Sequence, residues 1–219
     1  LLQALKTLSE YIHHCIHSGQ NVWIAQREGR AKDGIDKTDP ALLKMLAMGR
    51  RELSLGDSLS ELHLVPVAIS YEFDACDILK AEELHAIEKD GSFTKNEQTD
   101  IHSIVTGMIG FKGHVHVGFG SELGINSDEP ELIAELIDEQ ILRNYRLSDA
   151  NYIAAEILLE KGELLDPALD AVIKEKIISE EVREIFFERI SKTQPALVKH
   201  LLFGYTNPLI NKLKSDLEL

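Results

Sequence analysis

Between Gln26 and Gly34 the chain reads Gln-Arg-Glu-Gly-Arg-Ala-Lys-Asp-Gly. This is its most chemically suggestive stretch. Arg27, Arg30, Lys32 and Lys37 cluster around Gly29 and Gly34. Arginine offers planar, paired donors, and glycine lets backbone N–H groups come close, so the segment suits a phosphate. Glu28 can hold an arginine in place. A plain alternative is a solvated surface loop whose mixed charges neutralise one another. Gly29 to Gly34 also has the spacing of a Walker loop, but Ile35 and Asp36 stand where Lys and Ser/Thr are required, which excludes that motif.

Histidines supply the other candidate chemistry. His13 and His17 are four residues apart, with Glu10 one turn earlier, and could seat a zinc ion. Because Cys15 and Ile16 belong to the apolar stripe of the same segment, the expectation is a solvent-facing pair and no metal. His114 and His116 fall on one face of a strand, where a polar, half-buried face is the expected reading. Cys15 and Cys76 lack C-x-x-C spacing, so no disulfide framework or thiolate site is suggested and a reducing compartment is the default.

The elements that must position these groups follow from periodicity. Leu2, Leu5, Leu8, Ile12, Cys15 and Ile16 recur in steps of three and four, which predicts a helix over 1–18 that Gly19 stops. Asn21 to Ala25 reads as a short buried strand with Trp23 in the core. Thr38-Asp39-Pro40 caps a helix over 40–48. His63 to Tyr71 is the second strand, with Pro66 marking an edge or bulge, and helical material follows at 74–88 and 98–109. Val115, Val117 and Phe119 alternate with His114, His116 and Gly118, a period of two that predicts a third strand. Alternating strands and helices give an α/β fold, a sheet flanked by helices. After residue 126 there are only helical stripes. They run over 132–145, over 153–159, from an Asp166-Pro167 cap to Ile177, over 182–190 and over 197–202. The division expected is 1–126 for the α/β part and 127–219 for an all-helical C-terminal region. The acidic residues Glu131, Glu135, Asp138 and Glu139 read as a solvated face, and Gly204 and Pro208 argue against one continuous helix at the C-terminal end.

Composition bounds the function. The chain has 219 residues, 44% of them hydrophobic, and a net charge of −14, which is unsuited to general nucleic-acid binding. Between Gln26 and Arg51 basic residues, seven, outnumber acidic ones, four, whereas the remainder carries 16 positive and 33 negative charges. No apolar run reaches the roughly 18 to 20 residues of a membrane-spanning helix and no signal peptide is visible, so membrane contact is expected to be peripheral.

The strand Asn21 to Ala25, the Glu28-Gly29-Arg30 loop, the Val65-Pro66-Val67 segment and Val115-His116-Val117-Gly118-Phe119-Gly120 occur in an order that resembles the glycerophosphate and lysophosphatidate acyltransferase family. The resemblance covers about residues 1 to 150 and involves that family's third and fourth motifs. It implies transfer of a fatty acyl group from acyl-CoA or acyl carrier protein to glycerol 3-phosphate or 1-acylglycerol 3-phosphate in phospholipid biosynthesis. No metal or other cofactor is implied. Arg27, Glu28, Gly29, Arg30 and Lys32 are the expected substrate-binding residues. The family sets its arginine three residues after the glutamate, where Ala31 stands here, and Arg30 comes one position early.

The family's general base is an H-x4-D pair upstream of its third motif. None of the residues before Glu28 forms one. His85 and Asp90 have the spacing but lie after the fourth motif and are not expected to be catalytic. With the Leu1 start, this absence predicts the C-terminal portion of a longer enzyme, inactive alone, with its catalytic pair upstream of Leu1. The expected location is the cytoplasm, including the inner face of the cytoplasmic membrane. The expected partners are glycerol phosphate or lysophosphatidate, an acyl donor and the membrane surface. The alternative is a non-catalytic α/β anion-binding or interaction module.

Overall fold

The structure, a computed structural model, describes residues 1–29, 31–94, 96–164 and 167–217. Along the described residues run α1 (Leu2–His17), α2 (Pro40–Leu46), α3 (Leu55–Ser60), β1 (Val67–Tyr71), α4 (Asp77–Asp90), α5 (Glu97–Ile109) and β2 (Val115–Phe119). Then come α6 (Pro130–Asn144), α7 (Asp149–Glu160), α8 (Pro167–Glu175), α9 (Glu180–Ser191) and α10 (Pro195–Leu217). The fold is mixed α/β and mostly helical, with a small two-stranded antiparallel sheet.

Capping explains where several helices start. Asp39 accepts from the Ala41 N–H ahead of Pro40, Asn96 and Thr99 form a reciprocal capping box, and Ser179 accepts from the Val182 N–H. Each satisfies donors that the first turn leaves without intrahelical partners.

The chain forms two compact units, each drawn from separate stretches. The first comprises Leu1–Arg30, Asp36–Ala68 and Val117–Asn144. Its core joins Ile12 of α1, Leu43 and Leu46 of α2, Leu59 of α3, Leu123, and Ile133 of α6. The second comprises Ala31–Ile35, Ile69–His116 and Tyr145–Leu219. At its centre is α7, which turns a wide apolar face to the core through Ala150, Ile153, Ala154, Ala155 and Leu158. Helices α4, α9 and α10 complete that core, with Phe186 edge-on to Tyr205 at a centroid distance of 5.1 Å.

One buried polar network fixes these helices. Asp77, in the first turn of α4, accepts from the Arg189 guanidinium of α9 through Nε and through Nη2 at 2.9 Å, and from the Tyr205 hydroxyl of α10 at 2.7 Å. Tyr205 in turn accepts from the Asp74 N–H at 2.8 Å. Burial and the neighbouring Asp77 charge push the Tyr205 phenol well up from its ordinary value. Burial alone would lower Arg189, but the hydrogen bonds and charge of Asp77 outweigh it and raise that group.

Three expectations are corrected. Asn21 to Ala25 forms no strand and is exposed, Trp23 at 67%. A strand needs a neighbour for its ladder, and among the described residues only β1 and β2 pair. Trp23 is therefore not a core residue. Helix α10 runs unbroken through Gly204 and Pro208. A proline removes one helical hydrogen bond and crowds the carbonyl four residues before it, a local cost that the burial of Leu201, Leu202, Tyr205 and Leu209 on the same helix offsets. Finally, α3 was not evident from periodicity, since six residues carry less than two turns of pattern. The Asp166 cap of α8 lies outside the described residues.

The Asp77 network carries a measurable stake. Arg189→Ala leaves a buried carboxylate without its cation and is expected to lower stability by about 3–5 kcal/mol. Arg183→Ala removes a more solvated pair with Glu156 and should cost under about 1 kcal/mol. Urea unfolding of the two variants measures the contrast.

Candidate phosphate-binding site

The basic loop is closed at its base within the first unit. The Asp39 N–H donates to the Gln26 carbonyl at 2.9 Å. Thr38 anchors the same point to α6, its N–H and hydroxyl donating to Asp138 Oδ1 at 2.8 and 2.6 Å. Burial raises the Asp138 carboxyl from its ordinary value, and the two Thr38 donors oppose that rise. Asp138 is thus a support for the loop and not part of a solvated face, while Glu131 pairs with Lys44 at 3.4 Å and Glu139 with Arg143 at 2.5 Å.

From this base Arg27, Glu28 and Gly29 project into solvent as a bend. Gly29 has φ +76°, and nothing lies within 4 Å of where a side chain would start. Its backbone is open to a ligand's approach. Arg30 lies outside the described residues.

Lys32 is placed differently. Residues 31–35 belong to the second unit, where Lys32 Nζ meets Glu83 Oε1 of α4 at 2.7 Å. Asn207 of α10 donates to the Asp33 carbonyl at 2.8 Å. Gly34, also at φ +76°, packs so closely on α10 that an added Cβ would stand 2.2 Å from the Gly204 carbonyl oxygen and 2.9 Å from the Pro208 ring. Of the five residues expected to bind substrate, Arg27, Glu28 and Gly29 lie together at an exposed bend. Lys32 is engaged in an ion pair, and Arg30 lies outside the described residues; Gly34, not one of the five, serves packing.

The two later motif segments are direct neighbours. The Gly120 N–H donates to the Pro66 carbonyl at 2.8 Å and the Leu123 N–H to the Leu64 carbonyl at 2.9 Å. Pro66 sits just before β1, where it contributes an acceptor and its missing N–H costs nothing.

The remaining histidines are mostly occupied. His114 Nδ1 lies 3.0 Å from Glu72 Oε2 in an exposed pair. His85 and Asp90 share α4, where five residues turn through about 140° from one face to another, so the pair lacks the facing geometry of an oriented base. His85 stacks edge-on against His200, whose Nε2 meets Glu88 at 3.0 Å. With Glu88 these two histidines form a group whose nitrogen and oxygen atoms are close enough for a metal ion. Sequence spacing could not show it, because His200 comes from α10.

The two glycines separate packing from ligand access. Gly34→Ala should destabilise the chain by about 2 kcal/mol or more, through the clash with Gly204 and Pro208. Gly29→Ala should cost only the roughly 1 kcal/mol of its left-handed backbone. Thermal and urea melts of both variants check this. No family model, no curated protein and no solved structure matches the chain.

Proposed function

We propose that the chain is the phosphate-binding and C-terminal part of an acyltransferase of phospholipid synthesis, acting on glycerol 3-phosphate or 1-acylglycerol 3-phosphate with acyl-CoA or acyl carrier protein as donor. The observation that carries this reading is the pairing of Leu64 and Pro66 with Leu123 and Gly120. It makes neighbours of the two segments that resemble successive family motifs, while the Glu28-Gly29 bend stands open in the same unit.

In this reading Arg27 and the open backbone at Gly29 hold the substrate phosphate, with Glu28 orienting a guanidinium. The chemistry is attack of the acceptor hydroxyl on the thioester carbonyl. A base removes the hydroxyl proton, an ester bond forms, and the thiol leaves with a proton. His85 and Asp90 do not serve as that base in this reading.

Helix α5 supports a lipid-facing role. Ile101, Ile104, Val105, Met108 and Ile109 recur at helical spacing, and all are exposed. An apolar stripe of this kind ordinarily faces a core; turned outward, it suits the boundary of a bilayer that holds an amphiphilic acceptor. Glu97 and Asp100 in the first turn of the same helix disfavour anionic lipid. No helix among the described residues is long and apolar enough to cross a membrane.

Two experiments test the reading. In the source polypeptide, Glu28→Ala and Arg30→Ala should each raise the KM for the phosphorylated acceptor roughly 10- to 100-fold, as expected for losing a charged hydrogen bond. Unchanged acyl transfer would count against it. The 219-residue chain should co-sediment with phosphatidylcholine vesicles and lose this on Ile104→Asp with Met108→Asp; equal sedimentation of the variant removes the lipid-facing role of α5.

A further inference from the structure

The C-terminal end of α1 carries His13 and His17 on one side, four residues apart. The expectation of a solvent-facing pair fails at His13, which is only 3% exposed. Its Nε2 lies 3.1 Å from the Leu46 carbonyl. A carbonyl oxygen can only accept, so Nε2 carries the proton and Nδ1 carries the lone pair of a neutral ring. Burial depresses the His13 pKa below its ordinary value against the opposing hydrogen bond to Leu46, and the Arg50 charge adds to the depression.

That leaves Nδ1 buried with no hydrogen-bond partner, a rare condition that calls for an explanation. The group it faces is also an acceptor: Glu61 Oε2, just past α3, is 3.9 Å away. Two acceptors at that separation, too far for a direct hydrogen bond, suit a cation between them. The third member is His17, with Nε2 at 3.7 Å from the same Oε2. All three ligand atoms fall within 4.8 Å of one another. Glu10, the residue sequence spacing suggested, instead pairs with Lys6 at 3.3 Å.

The supporting contacts have the form that metal sites use. Leu46 fixes the His13 tautomer, as backbone acceptors do for metal-bound imidazoles. Arg50 grips Glu61 through two hydrogen bonds, Nε to Oε2 at 2.8 Å and Nη2 to Oε1 at 3.0 Å, which sets the carboxylate plane. Two imidazole nitrogens and one carboxylate oxygen favour zinc-like ions over magnesium or calcium. Tetrahedral zinc holds such ligand atoms about 3.3 Å apart, so the observed spacings need to close modestly. His17, half exposed, can make most of that movement and leaves an entry path.

We propose that His13 Nδ1, His17 Nε2 and Glu61 Oε2 form a three-ligand site for a divalent transition metal of the zinc type, with water in the fourth position. The ion clips the end of α1 to the end of α3, both within the first unit. The site is independent of acyl transfer. The other histidine group, His85, Glu88 and His200, is already closed by the direct contact of His200 with an exposed Glu88, and it serves as the control.

The test uses the tag-free 219-residue chain. Equilibrium dialysis against Zn2+ should give one tightly held ion per chain, and Co2+ should give the visible absorption of a tetrahedral N/O site. His17→Ala and Glu61→Gln, which leave the buried His13 in place, should each weaken Zn2+ binding at least about tenfold while circular dichroism stays unchanged. His14→Ala and His200→Ala should bind as the parent does. Absence of binding, binding that survives both His17→Ala and Glu61→Gln, or binding that His200→Ala abolishes would each overturn the proposal.

Discussion

The Asp77 carboxylate is the fixed point of the second unit. Removing a charge from water costs several kcal/mol, and only close, complete hydrogen bonding offsets it. Arg189 and Tyr205 supply that bonding, from α9 and from the middle of α10, and the Asp74 backbone finishes the network by accepting from Arg189 Nη2 at 2.8 Å. Its demands are geometric: α4, α9 and α10 must hold one register around α7 for every donor to meet its acceptor. The segment 31–35 then has a defined surface on which to dock, through Lys32 on α4 and through Gly34 and Asp33 on α10.

What the sequence disclosed, and what it hid, divides along physical lines. Helices α1, α6, α7 and α9 were readable because their apolar residues repeat with a helical period, and β2 because its residues alternate. Asn21 to Ala25 has the composition of a strand, but composition does not provide the neighbour a ladder needs. Pro208 reads locally as a breaker, whereas the burial of Leu201, Leu202, Tyr205 and Leu209 holds α10 continuous through it. Helix α6 packs with the N-terminal stretches in the first unit, a partnership that no local pattern encodes.

The same division holds at the functional residues. The Glu28-Gly29 bend was visible because glycine beside charge marks an open turn, and it is exposed. That Thr38 ties the loop to Asp138, a hundred residues away, was not visible, nor was the use of Lys32 and Gly34 for packing. Glu61 reaches His13 and His17 only through folding, and one buried nitrogen without a partner distinguishes their arrangement from an ordinary surface cluster.

The two-stranded sheet has one further consequence. Ala68, Ser70 and Gly118 face inward and are buried, whereas the alternate residues Ile69, Tyr71, Val115, Val117 and Phe119 are all exposed. A bare, β-branched sheet surface of this kind is adhesive toward other copies. What opposes that adhesion is the net charge of −14, a long-range repulsion that acts over about 8 Å at physiological ionic strength and about 3 Å in molar salt. The colloidal behaviour of the chain therefore rests on its acidity. Concentrated salt, or acidification toward the isoelectric point near 5.0, strips away the repulsion and leaves the adhesive face unopposed.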